Sequence, residues 1–138
     1  IMEYVAAVYS PTNNIELYIT QSWGNVTNPG QYHHKHSHPN SFLSGVIYFH
    51  AEKNIDKVTF FKNDPSQFRL KTIKWNAYNS ESWYFPVETG KLVIFPSTLQ
   101  HMVTTTEGKE PRISLAFNTF LRGDLGDEDD LTRLILEK

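Results

Sequence analysis

A chain of 138 residues with 39% hydrophobic and 20% charged residues has the composition of one globular domain, which excludes collagen-like, coiled-coil and disordered classes. Thirteen Lys and Arg residues stand against fifteen Asp and Glu residues, for a formal net charge of -2, so we expect no nucleic-acid partner and no membrane association. Because the sequence contains no cysteine, only His, Asp or Glu side chains could hold a metal ion.

The N-terminal residues IMEYVAAVYS lack the basic and apolar segments of a secretory signal, and no apolar run approaches the roughly 20 residues that span a bilayer. We therefore expect a cytoplasmic protein. The chain opens at Ile1 with Met2 behind it, which indicates a processed or truncated polypeptide as readily as a natural start.

Short apolar or alternating runs separated by turn residues recur along the chain and predict about seven strands. The clearest runs are residues 15–20, 41–50, 57–62, 91–95, 101–106 and 112–120. The last two, divided by a turn-like stretch at 107–111, are expected to pair as antiparallel neighbours. Residues 131–138, preceded by acidic residues at 127–130, predict a short C-terminal helix. The whole pattern predicts one mainly β domain, a jelly roll.

Five of the six histidines lie in two places, four within residues 32–40 and His101 alone after the run FPSTLQ. In an extended segment residues i and i+2 share a face, so His36 and His38 can bind one metal ion. His34 lies on the same face, and a pair of His34 with His36 remains open. His101 begins a later strand that a sheet can bring beside either pair. Three protein ligands would leave positions open, as a catalytic metal requires.

A second pattern lies on the strand predicted at 112–120. One face of this strand carries the small or polar residues Arg112, Ser114, Ala116 and Asn118, and the other carries Ile113, Leu115, Phe117 and Thr119. A buried arginine is costly unless it is paired, so an inward Arg112 predicts an acidic side chain or an anionic ligand as its partner.

The motifs His36-Ser37-His38, His101 and Arg112-Ile113-Ser114 together resemble the iron(II)- and 2-oxoglutarate-dependent oxygenases. That family carries H-x-(D/E), a distant His, and an Arg with a Ser two residues on, all on a double-stranded β-helix. An oxygenase subgroup of marine bacteria and their viruses has sequences similar to three runs of this chain, HSHPNSFLSGVIYF, GKLVIFPSTLQHMV and RISLAFNTF. A strand of the prolyl hydroxylases is also similar to GKLVIFPS. The resemblance covers roughly residues 23–126. It implies one double-stranded β-helix domain over 1–138, without the helical support that precedes the barrel in that family, in the cytoplasm of a bacterium or of a virus-infected cell.

The resemblance implies that His36, His38 and His101 hold Fe(II) and form the catalytic centre. His38 stands where the family usually has a carboxylate, so three neutral imidazoles would leave the full charge of the metal for an incoming keto acid to balance. Such a ligand set would also suit zinc or nickel.

The resemblance also implies roles in binding the co-substrate. Arg112 would bind the distal carboxylate of 2-oxoglutarate bidentately, Ser114 would donate a hydrogen bond to it, and Tyr48 would contact the same group. Asn118, on the same face as Arg112, would contact the substrate or the surroundings of the metal.

The activity implied is that of a dioxygenase, in which O2 and 2-oxoglutarate are consumed, succinate and CO2 are released, and a C–H bond of a second substrate is hydroxylated. That substrate would be a small molecule or a peptide. Its identity and the oligomeric state remain open.

Two other classes compete with this interpretation. Two patterns copy parts of the cupin motifs: Gly30 is followed after five residues by His36-x-His38, and Gly90 is followed after five residues by Pro96 and then by His101. These patterns indicate a three-histidine metal-binding cupin. However, no glutamate follows His38 at the cupin distance, and the cupin pattern does not call for an Arg-x-Ser motif. The other alternative is a non-catalytic jelly-roll module that binds sugars through Trp23, Trp75 and Trp83. Turnover of 2-oxoglutarate would separate the oxygenase from both.

Overall fold

The computed structural model of the chain describes residues 1–11, 15–63, 68 and 70–137. In this part of the chain one helix, α1 (Met2–Tyr9), precedes nine strands. The strands are β1 (Ile15–Thr27), β2 (His33–His36), β3 (Leu43–His50), β4 (Lys57–Phe61), β5 (Ser82–Pro86), β6 (Leu92–Pro96), β7 (His101–Val103), β8 (Arg112–Leu125) and β9 (Leu134–Leu136).

The strands form two antiparallel sheets, which confirms the prediction of a mainly β, jelly-roll fold. One sheet has the order β1-β8-β3-β6, with β9 added to the end of β8, and the other has the order β2-β7-β4-β5. One buried cluster takes side chains from both sheets: Tyr48 and Phe95 from the first, Val58 and Phe60 from the second. The core therefore lies between the two sheets, where alternate residues of each strand point.

The helix α1 lies at the N-terminus, where the sequence patterns did not indicate one. Its Val5 side chain is 3% exposed, and the ring centroids of Tyr9 and Phe42 lie 5.3 Å apart. The helix ends at Ser10, whose φ of 43° belongs to the left-handed region that commonly stops helices. Among the residues described, no helix is long and apolar enough to cross a membrane.

The predicted pairing of residues 101–106 with 112–120 is wrong. β7 pairs with β2 and β4, whereas β8 pairs with β1 and β3 in the opposite sheet. After β7 the chain leaves the sheet, and Thr106 exchanges backbone hydrogen bonds with Gly30 and Gln31 at 2.9 Å. The segment between β7 and β8 is thus a crossing between sheets, too long for a tight hairpin.

The predicted C-terminal helix at 131–138 is also wrong for the residues described, which end at 137. Leu134–Leu136 form β9, which pairs with Gly123, Asp124 and Leu125 of β8. Leu131 has a φ of 57°, a conformation that a right-handed helix does not contain. An eight-residue helix is marginal by itself, and the long strand β8 offers a ladder of backbone hydrogen bonds instead.

Candidate active site

Three histidines meet at one end of the space between the sheets. His36 ends β2 and faces His101, the first residue of β7, across the ladder, while His38 follows β2 just before the turn at Pro39. The ring centroids of His36 and His101 lie 4.4 Å apart, and those of His38 lie 5.1 Å and 5.0 Å from them. One ring nitrogen of each lies within 4.8 Å of the others, a spacing at which one metal ion can bind all three.

Each of these imidazoles donates its Nδ1 proton to an oxygen. His36 donates to the carbonyl of His34 at 2.7 Å, and His101 donates to the carbonyl of Leu99 at 3.1 Å. His38 donates to Oδ1 of Asn118 at 2.6 Å. With Nδ1 protonated, the Nε2 atom of a neutral imidazole carries a lone pair, which is what a metal ion needs.

The Nε2 atom of His38 tests whether a metal fits here. It is one of two buried side-chain nitrogen or oxygen atoms, within the described part of the chain, that have no hydrogen-bond partner. A buried polar atom without a partner is costly, and coordination to a cation would remove that cost. The donor set therefore fits a metal ion bound through three imidazole nitrogens.

Asn118 lies behind His38 and is itself held by buried serines. Its Oδ1 accepts a second hydrogen bond from the hydroxyl of Ser44 at 2.8 Å, and Ser97 lies 2.8 Å from that hydroxyl. Ser44 and Ser97 are 1% and 0% exposed. No local pattern in the sequence indicates either serine, because their alignment depends on the pairing of β3 with β8 and with β6. This network fixes the orientation of the His38 ring.

His34 lies outside this group. Its side chain is exposed, and its ring centroid is 5.1 Å from that of His36. It contacts the group through its backbone carbonyl, which accepts the hydrogen bond from His36, and not through its ring. In the structure, His38 is therefore the histidine that joins His36 and His101.

A cavity extends from the histidines along the inner face of β8. The pairing of β1 with β8 places Trp23 opposite Ala116, Asn25 opposite Ser114 and Thr27 opposite Arg112. On the other side of β8, Tyr48 of β3 stands opposite Ser114. These side chains, apart from Thr27, line the cavity together with the three histidines. The predicted inward face of β8 thus leads from Asn118 at the metal end to Arg112 at the far end.

Arg112 has an acidic partner at this far end. Its Nη1 lies 3.6 Å from Oδ1 of Asp56, and both side chains are almost fully buried. Its Nη2 donates to Oγ1 of Thr27 at 3.3 Å, and that hydroxyl lies 3.1 Å from Nε2 of His33. From the sequence alone, either an acid or an anion could pair with Arg112, and no local pattern pointed to Asp56, Thr27 or His33.

Tyr48 and Ser114 lie between Arg112 and the histidines. Both line the cavity and both are buried, at 3% and 6% exposure. Burial raises the pKa of Tyr48 to about 12, with Arg112 lowering it and Asp56 raising it in smaller measure. The phenol therefore keeps its proton at neutral pH and can donate it to an acceptor in the cavity.

The metal-free protein should lose stability as the pH falls from about 6.5 to about 4. Burial is the main cause that lowers the pKa of His101 to about 4, and it also lowers the pKa of His38 and of His33. Unfolded histidines titrate near 6.5, so in this window the unfolded state binds more protons and is favoured by acid. The free energy of unfolding, measured by urea denaturation at several pH values, should fall accordingly.

His101→Gln should flatten this dependence between pH 6.5 and 5, above the range in which most carboxylates titrate. His34→Gln, at the exposed position, is the matched control and should leave the curve unchanged. Equal pH dependence of the wild type and of His101→Gln would contradict the prediction.

Comparison with known proteins adds a family and a fold. The sequence model of a family described as "Putative 2OG-Fe(II) oxygenase" matches residues 21–118. No curated protein matches the chain. Among solved structures, an oxidoreductase of the 2OG-Fe(II) oxygenase family from Burkholderia pseudomallei aligns with a TM-score of 0.62 at 14% identity, over 85% of this chain and 50% of that chain. This chain therefore spans about half the length of that protein, and at such identity the likeness shows the fold alone.

Two further structures align less closely. A prolyl-4-hydroxylase from Pseudomonas putida has a TM-score of 0.48 at 17% identity, over 85% of this chain and 59% of that chain. The capsular polysaccharide assembling protein CapF from Staphylococcus aureus has a TM-score of 0.45 at 13% identity, over 86% of this chain and 28% of that chain.

Proposed function

The chain belongs to the 2OG-Fe(II) oxygenase family, and from this premise we propose that it is an iron(II)- and 2-oxoglutarate-dependent dioxygenase of the hydroxylase type. The observation that carries the proposal is the cavity itself. Three imidazoles gather at one end and a buried arginine stands at the other, with neutral hydroxyl donors between them. A 2-oxo acid whose chelating end binds the metal and whose distal carboxylate accepts hydrogen bonds from Arg112 and the hydroxyls fits that arrangement.

His36, His38 and His101 would hold Fe(II) through their Nε2 atoms. When bound, the metal would supply the activation of O2 that is coupled to decarboxylation of 2-oxoglutarate to succinate and CO2 and to hydroxylation of the substrate. The protein's own contribution is to hold the three rings. Phe95 packs edge-on against His101 at 4.7 Å and Trp23 stacks on His38 at 5.7 Å, so apolar rings keep water from two of the imidazoles.

Arg112, Ser114 and Tyr48 would bind 2-oxoglutarate. The Arg112 guanidinium and the Ser114 hydroxyl project from the same face of β8, and the Tyr48 hydroxyl comes from the neighbouring strand β3. Charge-assisted hydrogen bonds from a buried guanidinium are among the stronger polar contacts in proteins. The buried Arg112 and Ser114 also favour the oxygenase over a cupin, whose motifs do not require them.

For Asn118 we propose a positioning role rather than contact with the substrate. Its Oδ1 already accepts hydrogen bonds from His38 and Ser44. The amide oxygen therefore contacts a proposed metal ligand and not the substrate. Partners of this kind hold a ligating imidazole in the correct tautomer and orientation.

The substrate is proposed only as a small molecule or a peptide side chain that enters beside Trp23, which is 36% exposed at the edge of the cavity. The cytoplasmic location and the subgroup of marine bacteria and their viruses stay predictions from the sequence.

The experiment that tests the function measures co-substrate binding and turnover. With Mn(II) bound, 2-oxoglutarate should raise the melting temperature, because a ligand that binds only the folded state stabilises it by mass action. With Fe(II) and O2, slow uncoupled formation of succinate is expected even without the substrate. The control is the same protein after removal of metal with a chelator. Absence of both the thermal shift and succinate would contradict the proposal.

A further inference from the structure

The two ends of the cavity carry different local charges. Three neutral imidazoles surround the metal end, so a divalent ion bound there would keep its full charge. At the far end the positive charge of Arg112 is opposed by Asp56, with 3.6 Å between Nη1 and Oδ1 and with 3% and 4% of the two side chains exposed. The far end is therefore close to neutral, although it contains the arginine.

Asp56 cannot easily turn away from Arg112. Its Oδ2 accepts a hydrogen bond from the backbone N–H of Glu52 at 2.8 Å, and its own N–H donates to the Glu52 carbonyl at 3.0 Å. Its carbonyl accepts from the N–H of Val87 at 3.0 Å. The carboxylate is thus fixed by a tight loop and by the segment that follows β5.

Arg112 is equally constrained on its other side. Its Nη2 donates to Thr27, whose hydroxyl is then free to donate to Nε2 of His33. A guanidinium held between Asp56 and Thr27 has donors left for a ligand, but any ligand carboxylate that reaches them also approaches the carboxylate of Asp56. In a buried site, repulsion between two like charges at such distances is weakly screened.

We infer that Asp56 is a specificity-determining residue that relaxes the demand for a second carboxylate, so that 2-oxo acids with an uncharged distal end bind about as well as 2-oxoglutarate. The inference deepens the proposed function and rests on it. The hydroxyls of Tyr48 and Ser114 support it, since neutral donors serve an uncharged acceptor as readily as an anion.

The test compares two ligands that differ only at the distal end: 2-oxoglutarate, and 2-oxopentanoate, which has a methyl group in place of the second carboxylate. Calorimetric titration of the Mn(II)-loaded wild type should give Kd values within about tenfold of each other. In Asp56→Asn, 2-oxoglutarate should bind at least about tenfold more tightly, while the Kd of 2-oxopentanoate should change by less than about threefold. If Asp56 had a purely structural role, its substitution would weaken the binding of both acids together and leave the ratio of their Kd values unchanged.

Asp124→Asn is the matched control, because it removes a carboxylate from an exposed ion pair with Arg133 and should leave both Kd values unchanged. A wild type that prefers 2-oxoglutarate by a hundredfold or more would overturn the inference, and so would an unchanged ratio in Asp56→Asn. If Asp56→Asn fails to fold, the wild-type ratio decides. Binding of neither acid to the metal-loaded wild type would overturn the inference together with the proposed function, whereas strong discrimination in the wild type would overturn the inference alone.

Discussion

Arg112→Ala is expected to weaken 2-oxoglutarate binding by at least about a hundredfold in Kd, the largest effect of any single change at the far end of the cavity. The substitution removes the only cation that the structure places beside the proposed co-substrate site among the described lining residues. It also leaves Asp56 buried and uncompensated, so the site changes from nearly neutral to negative. An arriving distal carboxylate then meets repulsion where it would have met a guanidinium.

A ligand without a distal carboxylate distinguishes the loss of the Arg112 charge from a change in the shape of the cavity. 2-Oxopentanoate has no distal carboxylate, so its Kd for the Mn(II)-loaded Arg112→Ala protein should rise by less than about tenfold. Arg122→Ala, on the same strand and with its guanidinium 4.0 Å from the Tyr18 ring, is the matched control and should bind both acids like the wild type. Equal responses of Arg112→Ala and Arg122→Ala to 2-oxoglutarate would show that Arg112 does not bind the co-substrate.

Stability has to be measured alongside binding, because removal of one partner of a buried ion pair costs about 3–5 kcal/mol. The double variant Asp56→Asn/Arg112→Gln removes both charges at once and should retain more of the wild-type stability. It should still bind 2-oxoglutarate weakly, since the guanidinium is absent. Loss of affinity in a well-folded double variant would exclude unfolding as the explanation.

The strands β3, β4 and β6 were predictable from the sequence, because each lies in a short run rich in apolar and β-prone residues. The short strands β2 and β5 were not predicted: β2 consists of His and Lys residues, and Tyr84, Phe85 and Pro86 of the edge strand β5 are exposed. Strand pairing was harder still. Nothing local in residues 101–106 indicates that this segment pairs with β2 and β4 rather than with its neighbour in sequence. Such long-range pairing depends on the packing of the whole sandwich.

The grouping of the three histidines was predictable to a large extent. The i, i+2 spacing of His36 and His38 determines a shared face, and His101 was the one distant histidine at the start of a strand. The choice between His34 and His38 was left open because both satisfy that spacing. In the structure His38 joins His36 and His101, and its ring is held by Asn118, which reaches it from β8 across 80 positions of sequence.

The surroundings of Arg112 could not be derived in the same way. Thr27 faces Arg112 only because β1 runs through to residue 27 and pairs with β8 in one particular register. Asp56 comes from a loop between β3 and β4, where an acidic residue looks like any other turn residue. A buried arginine demands a partner, but only the fold shows which residue supplies it.

His38→Ala is expected to lower metal affinity by at least about a hundredfold. Loss of a residue that only supports a metal ligand costs up to about a hundredfold, and this substitution removes a ligand itself. His34→Ala, which deletes an exposed imidazole two positions from His36, should leave the affinity within about threefold. Competition of each variant with a chromophoric chelator for Zn(II) measures the difference directly. Asn118→Ala should fall between them, because it frees the His38 ring without removing its nitrogen.

Anomalous scattering at the zinc edge in crystals of the wild type should place one ion against Nε2 of His36, His38 and His101, at about 2.0–2.1 Å from each. Full occupancy in His38→Ala crystals, or an ion bound by the His34 ring, would show that the metal uses the other pair.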